Sequence, residues 1–475
     1  MGPAYLVIGG GISGLSAAWA VRQADPDARV TVLEGSPSLG GKIASAPVAG
    51  VSLDTGAESL LARRPEALQL IDEIGLRDHV VHPSTTHASI WSRGKLHRMP
   101  QGTVMGIPGD PESLSPLLTP HEIVRVGQEP RSGGAPGQDI SVGDFVSARL
   151  GDAVVDRMIE PLLGGVYAGH AREISLGAAL PAMLPAYHDG TSLLRAAREA
   201  LPTPLPVDSV RPPVFAGLRG GVHRLVDGLA QELRRRGVII RTGVVAREVI
   251  RRPVESGGGF DVISGPRPDP TVWTTDRLIL ATPPAPTARL LGQIAPAGAR
   301  DLAGIETASM AIVTLALPAS SAPSLSGSGV LVPPVEGLRV KASTFSANKW
   351  DWVRESGESG GDGLVFVRAS MGRHREEADL QREDDELVTA VRTDLSTMLG
   401  QAVPAPVHAH VQRWGGALPQ YAVGHRERVA SITAAVSRVP GLAVCGATYE
   451  GVGIPACIAS GRSAAAQVCH AQWVA

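Results

Sequence analysis

Aromatic residues are scarce. Phe, Trp and Tyr make up 4% of the 475 residues, too few for the stacking platforms of single-stranded nucleic-acid binders. Neither sign of charge dominates: 44 Lys and Arg stand against 46 Asp and Glu, a net charge of −2, which excludes an electrostatic nucleic-acid binder. Only three cysteines occur, Cys445, Cys457 and Cys469. They support neither a disulfide framework nor a metal site, and small thiols in core positions fit a reducing cytoplasm. Long apolar runs are missing too. The uncharged stretch 4–21 has no basic leader and is interrupted by Gly9-Gly10-Gly11, so it reads as neither a signal peptide nor a transmembrane span.

What is present is glycine and proline, 56 and 38 residues, together with 43% apolar residues. That is a folded chain rich in tight turns, long enough for roughly two to four domains. Residues 5–8 form an apolar run that predicts a buried parallel strand. Gly9, Gly10, Gly11, Ile12, Ser13 and Gly14 follow, and 15–23 then predict a helix of small residues. Strand, G-x-G-x-x-G and helix together make a dinucleotide loop. Gly9 serves the turn, Gly11 the approach of a pyrophosphate, and Gly14 the packing of helix on strand. A second strand over 29–33 ends at Glu34, placed to accept the ribose hydroxyls.

Further blocks separate FAD from a nicotinamide cofactor. Gly40-Gly41-Lys42 and Gly56-Ala57-Glu58-Ser59 resemble the flavin-approaching turns of amine-oxidase-type flavoproteins. Downstream, 128–139 reads as a mobile polar loop, 208–213 as a linker, 140–180 as broken helices and 218–236 as one long helix. Strands are predicted over 238–241, 244–250 and 276–284, β-like runs over 311–369, and a charged helix over 383–399. At the C-terminal end, strand 442–446 leads through a turn into a helix opened by Pro455, whose N-terminus would favour the negative charge of a reduced flavin.

Over nearly its whole length the chain resembles the oxygen-dependent protoporphyrinogen/coproporphyrinogen III oxidases of haem synthesis. The specific blocks are 160–169 (EPLLGGVYAG), 175–181, 217–221, Arg413-Trp414, 417–421 (ALPQY), Gly424-His425 and 446–461. The resemblance implies an α/β composite of the α+β kind: a Rossmann-like FAD-binding domain, a mixed-sheet substrate domain and a helical insertion. The expected boundaries are 1–85, 205–290 and 412–475 for FAD, 86–100 and 291–411 for substrate, and 101–204 for the insertion. FAD contacts are implied at Gly9 to Gly14, Glu34, Gly35, Gly41, Lys42 and Gly56 to Ser59. Others fall at Val245 or Ala246, Trp414, Gly446, Val452, Gly453 and Ile454. The Gly165 backbone and Leu331 would face the macrocycle.

One departure concerns the propionates. Where some relatives carry an anchoring arginine, this chain has Met99-Pro100-Gln101-Gly102. Arg63, Arg64 and Lys341 are the expected replacements, with Arg93 and Arg98 as further candidates. The implied reaction is a six-electron oxidation of a porphyrinogen in three two-electron rounds, with oxygen as acceptor and hydrogen peroxide as product. No Ser/His/Asp or Cys/His nucleophile set is recognisable, so the cofactor carries the chemistry. Coproporphyrinogen III is preferred over protoporphyrinogen IX because nothing in the chain looks membrane-anchoring. Another amine oxidase or desaturase, or a non-enzymatic escort protein of the same architecture, are the remoter readings. Transient contact with a neighbouring haem-pathway enzyme or peripheral contact with a membrane is compatible with the resemblance.

Overall fold

The structure, a computed structural model, describes residues 2–131, 133–134, 137–202, 212–359 and 363–470. The strands that frame the site are, in chain order, β1 (Ala4–Ile8), β2 (Arg29–Leu33), β3 (Ala88–Ser92), β4 (Lys95–Arg98), β5 (Ile239–Arg241) and β6 (Arg277–Leu280). They continue with β7 (Thr307–Pro318), β8 (Gly329–Leu331), β9 (Val340–Phe345), β10 (Leu364–Met371), β11 (His408–Pro419) and β12 (Leu442–Val444). Five helices matter for the site: α1 (Ile12–Ala24), α2 (Glu160–Tyr167), α3 (His223–Arg235), α4 (Asp384–Leu399) and α5 (Ile454–Cys469).

Five short apolar strands pair in parallel in the order β5-β2-β1-β6-β12, with Val7 opposite both Val32 and Ile279. Such strands are buried on both faces, which is why they read as continuous apolar runs. One face packs on Leu15 and Trp19 of α1, Leu225 and Leu229 of α3 and Ile458 of α5. The other packs on Phe260, Leu290 and Ile432.

Two glycines set how closely the helices approach. A Cβ at Gly14 would lie 1.9 Å from the Gly9 carbonyl oxygen, and one at Gly461 would lie 2.2 Å from that of Ser13. Both contacts are with backbone, which cannot yield. Gly14 therefore seats α1 on its own turn, and Gly461 seats α5 on α1.

A second sheet has the order β11-β7-β10-β9-β8-β3-β4, antiparallel except for β8 beside β3. Val313, Val367 and Ala369 face Leu387, Val391 and Leu395 of α4. Alternation turns Ile312, Arg368 and Ser370 to the opposite face, toward the parallel-sheet unit. The helical segment has a core of its own, including Leu118, Val126, Phe145, Met158, Leu163 and Leu193.

Several expectations are corrected. The long helix over 218–236 is instead a strand, Phe215–Leu218, a turn and α3. Gly220 and Gly221, at φ of +85° and +106°, break what the apolar spacing suggested was continuous. The third FAD segment, expected from 412, begins inside β11 of the seven-stranded sheet. Helices Pro284–Leu291 and Pro296–Ala303 pack with the parallel-sheet unit, so that unit extends past 290.

The loop over 128–139 is tied down at both ends. The Glu129 carboxylate meets the buried Arg149 guanidinium at 2.8 Å and accepts from Ser192 and the Leu193 amide. Asp139 accepts from Ser175 and from the Gly177 and Gly424 amides. Ser132, Ala135 and Pro136 of that loop, and 208–211 of the expected linker, lie outside the described residues. Among the described residues no helix is long and apolar enough to cross a membrane.

Because Glu129 is the counter-charge of a buried arginine, Glu129→Ala is expected to destabilise the protein by about 3–5 kcal/mol. Urea unfolding checks this, and a midpoint equal to wild type would remove the pair from the stability of the insertion.

Candidate functional site

The parallel sheet delivers two helix N-termini to one edge. β1 runs directly into α1 and β12 leads into α5, and the packing at Gly461 holds the two helices together. Neither N-cap, Gly11 or Gly453, supplies a capping side chain. Each presents its first-turn amides and the positive end of its dipole at that edge. Gly11 and Gly41 face each other, and a Cβ on either would meet nothing closer than the other's Cα, at 3.9 and 3.5 Å. A Cβ at Gly446, at φ +133°, would meet nothing within 4 Å. These glycines border open space, unlike Gly14 and Gly461, which border protein.

At the end of β2 the Glu34 carboxylate accepts from the Gly10 amide at 2.6 Å and the Ser36 amide at 2.8 Å. Each oxygen keeps a lone pair for a further donor. Gly35 is exposed, and a Cβ on it would lie 3.4 Å from Val245, itself exposed, while Ala246 opens the strand beyond. Val245 therefore flanks the far end of this groove.

The segment Thr55 to Ser59 is held from the seven-stranded sheet. Trp414 Nε1 on β11 donates to the Thr55 carbonyl at 3.0 Å. From β10, Arg368 donates to the Gly56 carbonyl at 2.6 Å and to one Glu58 oxygen. Lys349 reaches the other Glu58 oxygen at 2.6 Å. Burial pushes the Glu58 carboxyl up, but Lys349 and Arg368 more than reverse this and leave it at about 2. Lys42 lies 5.9 Å over the Trp414 ring, and burial lowers its pKa against the pull of Glu34.

Between the two sheets, Leu331, Ala342 and Ser370 are only partly buried although they sit on inner strands. Gly165 and Val166 are exposed on α2 between buried neighbours. A Cβ at Gly165 would lie 3.9 Å from Leu331. Leu331 and Val452 both pack on the core of the helical segment. Partly exposed surface of α2, β8 and the turn before α5 is thus brought together.

The three expected propionate anchors do not converge. Arg64 pairs with Glu66 at 2.5 Å, which raises its pKa. Lys341 is buried on the Gly372 carbonyl at 2.8 Å, its pKa pulled down to about 7 by burial and by Arg373. Arg63 stays exposed, and Arg93 pairs with Glu122 at 2.5 Å.

Residues 12–469 match the model of the family described as flavin containing amine oxidoreductase. The chain belongs to the flavin-containing amine oxidoreductases. It is an FAD-dependent oxidoreductase. A protein named coproporphyrinogen III oxidase from Mycobacterium tuberculosis (strain ATCC 25618 / H37Rv) is 38% identical, with 97% of this chain and 96% of that protein covered. The protoporphyrinogen oxidase of Bos taurus is 29% identical, with 98% of both covered. Among solved structures, an Exiguobacterium sp. 255-15 protein with the provisional name protoporphyrinogen oxidase superposes with a TM-score of 0.83. It is 30% identical and covers 98% of this chain and 99% of its own.

FAD fits the oxidoreductase's open edge on the structure's own terms. The glycine edges at Gly11, Gly41 and Gly446 leave room where any Cβ would intrude, and two helix ends without side-chain caps lie at the same edge of the sheet. Sequence reading missed Arg368 and Lys349. Their only signal was a cation in a β-rich stretch; Arg368 meets Glu58 from β10, and Lys349 from the helix Ser346–Lys349 that follows β9.

Lys341 gives the oxidoreductase a pH signature. Its folded pKa of about 7 lies below its ordinary value, so from about pH 7 to 10.5 the unfolded chain binds more protons. Wild-type stability should therefore rise with pH relative to Lys341→Met across that window. Urea midpoints of both proteins test this, and parallel profiles would count against it.

Proposed function

We propose that the protein is a coproporphyrinogen III oxidase forming coproporphyrin III, with oxygen as electron acceptor and hydrogen peroxide as product. The observation that carries this reading is the full-length 38% identity to a protein named for that activity. Protoporphyrinogen IX oxidation is the second reading, favoured by the names of the bovine relative and the Exiguobacterium structure. Bound FAD supplies the two-electron acceptor.

The chain's own residues bind, orient and exclude water. Gly9 to Gly14 and the α1 N-terminus would receive the pyrophosphate, Glu34 the ribose hydroxyls, and Gly35 with Val245 the adenine side. Gly41, Lys42, Thr55 to Ser59, Trp414, Gly446 and Val452 to Ile454 would border the flavin. The macrocycle would lie against Leu331 and the backbone at Gly165, where the absence of a side chain lets a flat ring approach the helix. Apolar walls suit the ring and keep water out, but they would leave propionates expensively desolvated. These charges therefore belong near solvent, and Arg63, exposed and in no ion pair among the described residues, is the candidate to meet them. The free cysteines fit a cytoplasmic location, and peripheral membrane contact is compatible with this reading.

Aerated, FAD-loaded protein should develop porphyrin fluorescence faster from coproporphyrinogen III than from protoporphyrinogen IX. Faster turnover of protoporphyrinogen IX would reverse the choice of substrate. Arg63→Ala should raise KM for coproporphyrinogen III by about tenfold or more, since one charge-assisted contact contributes about 1.5–3 kcal/mol. The rise for protoporphyrinogen IX should be smaller. Equal KM in wild type and variant would place Arg63 in water.

A further inference from the structure

The face of the seven-stranded sheet that looks toward the parallel-sheet unit carries a short row of polar side chains. Thr314 on β7 stands directly opposite Arg368 on β10 and, across its other edge, directly opposite His410 on β11. Residues paired in this way put their side chains on one face, with Cβ atoms about 4.5–5.5 Å apart. Thr314 is fully buried, Arg368 is buried and His410 is half-buried. Thr314 Oγ1, Arg368 Nε and His410 Nε2 are each buried as atoms, and none has a hydrogen-bond partner among the described residues. A fourth such atom, Thr55 Oγ1, belongs to the segment whose carbonyls Trp414 and Arg368 hold.

Both terminal nitrogens of Arg368 are engaged, one with Glu58 and the other with the Gly56 carbonyl, which leaves Nε as the idle position. A single orphaned hydroxyl inside a protein is tolerable. Three orphaned groups in adjoining positions of one sheet compound a desolvation cost that native interiors meet with a partner. The three are also complementary to one small neutral molecule. Arg368 Nε is a donor only, the Thr314 hydroxyl donates or accepts, and His410 Nε2 accepts in the tautomer that carries its proton on Nδ1. Cross-strand neighbours that do not bond each other are spaced for a bridge one molecule wide.

We propose that Thr314, Arg368 and His410 bind a structural water molecule inside the sheet, which accepts from Arg368 Nε and donates to Thr314 Oγ1 and His410 Nε2. About three bonds is the usual complement of a buried water. The bridge engages the remaining nitrogen of Arg368, the side chain that ties the sheet to Gly56 and Glu58. The three atoms are enclosed by protein alone, so the inference depends on neither the flavin nor the porphyrinogen reading.

A crystal structure of the wild-type protein that resolves ordered water is the direct test. It should show one molecule within hydrogen-bond distance of all three atoms. Well-defined side chains with nothing between them, or side chains turned to bond one another, would overturn the proposal. A second test uses the sign of a stability change. Thr314→Val keeps the shape of the side chain and removes the hydroxyl. Were that hydroxyl merely orphaned, its loss would relieve a penalty and the urea midpoint would rise. With a water in place the variant strips it of a partner, and the midpoint should fall. An unchanged or higher midpoint counts against the water. Combined with His410→Leu, the change should be non-additive, because both substitutions act on one bridge. Simple additivity would contradict a shared water. Should Thr314→Val fail to fold, the wild-type density decides.

Discussion

The close packing of α5 on α1 is the constraint on which the rest depends. It exists because Gly461 lets one helix rest on the backbone of the other at Ser13. Through it, residues more than 440 positions apart bring two uncapped helix N-termini to one edge of the parallel sheet. Any side chain at Gly461 would force the helices apart and shift the two N-termini relative to each other.

A second set of ties joins this edge to the seven-stranded sheet and the helical segment. Trp414 and Arg368 hold the carbonyls of Thr55 and Gly56. Beyond the cavity, Gln420 donates to the Tyr167 carbonyl at 2.8 Å, and the Tyr421 hydroxyl donates to the Ala447 carbonyl, next to Gly446. A Cβ at Gly169 would lie 2.1 Å from Gln420, so the turn after α2 is shaped around that side chain. Positions along β11 and the residues just after it thus reach both the flavin edge and the α2 turn. The cavity walls are fixed relative to each other by side chains that bond to backbone, which leaves those side chains little freedom to reorganise.

What could be read from sequence was local. The glycine loop, Glu34 and the small-residue helices announce themselves within some thirty residues, because turn, strand and helix N-terminus follow one another directly. The specific blocks at 160–169 and 417–421 carried the family. Arg368 and Lys349 are illegible in the sequence, since their meeting with Glu58 is a tertiary contact across about 300 residues. The strand-turn-helix at 215–235 was misread for the opposite reason: Leu218, Val222, Leu225 and Leu229 keep helical spacing across a turn that two left-handed glycines impose. Composition makes the loop over 128–139 look mobile, but single carboxylates at each end, Glu129 and Asp139, find buried donors that composition does not reveal.

The proposed function requires one event, the passage of electrons from a porphyrinogen to bound FAD. Anaerobic rapid mixing of the FAD-loaded protein with each porphyrinogen observes it directly, without oxygen, through loss of the visible flavin band. Bleaching by coproporphyrinogen III should be faster than by protoporphyrinogen IX, with porphyrin appearing as the band decays. A flavin band that neither porphyrinogen bleaches, or that only protoporphyrinogen IX bleaches, would contradict it.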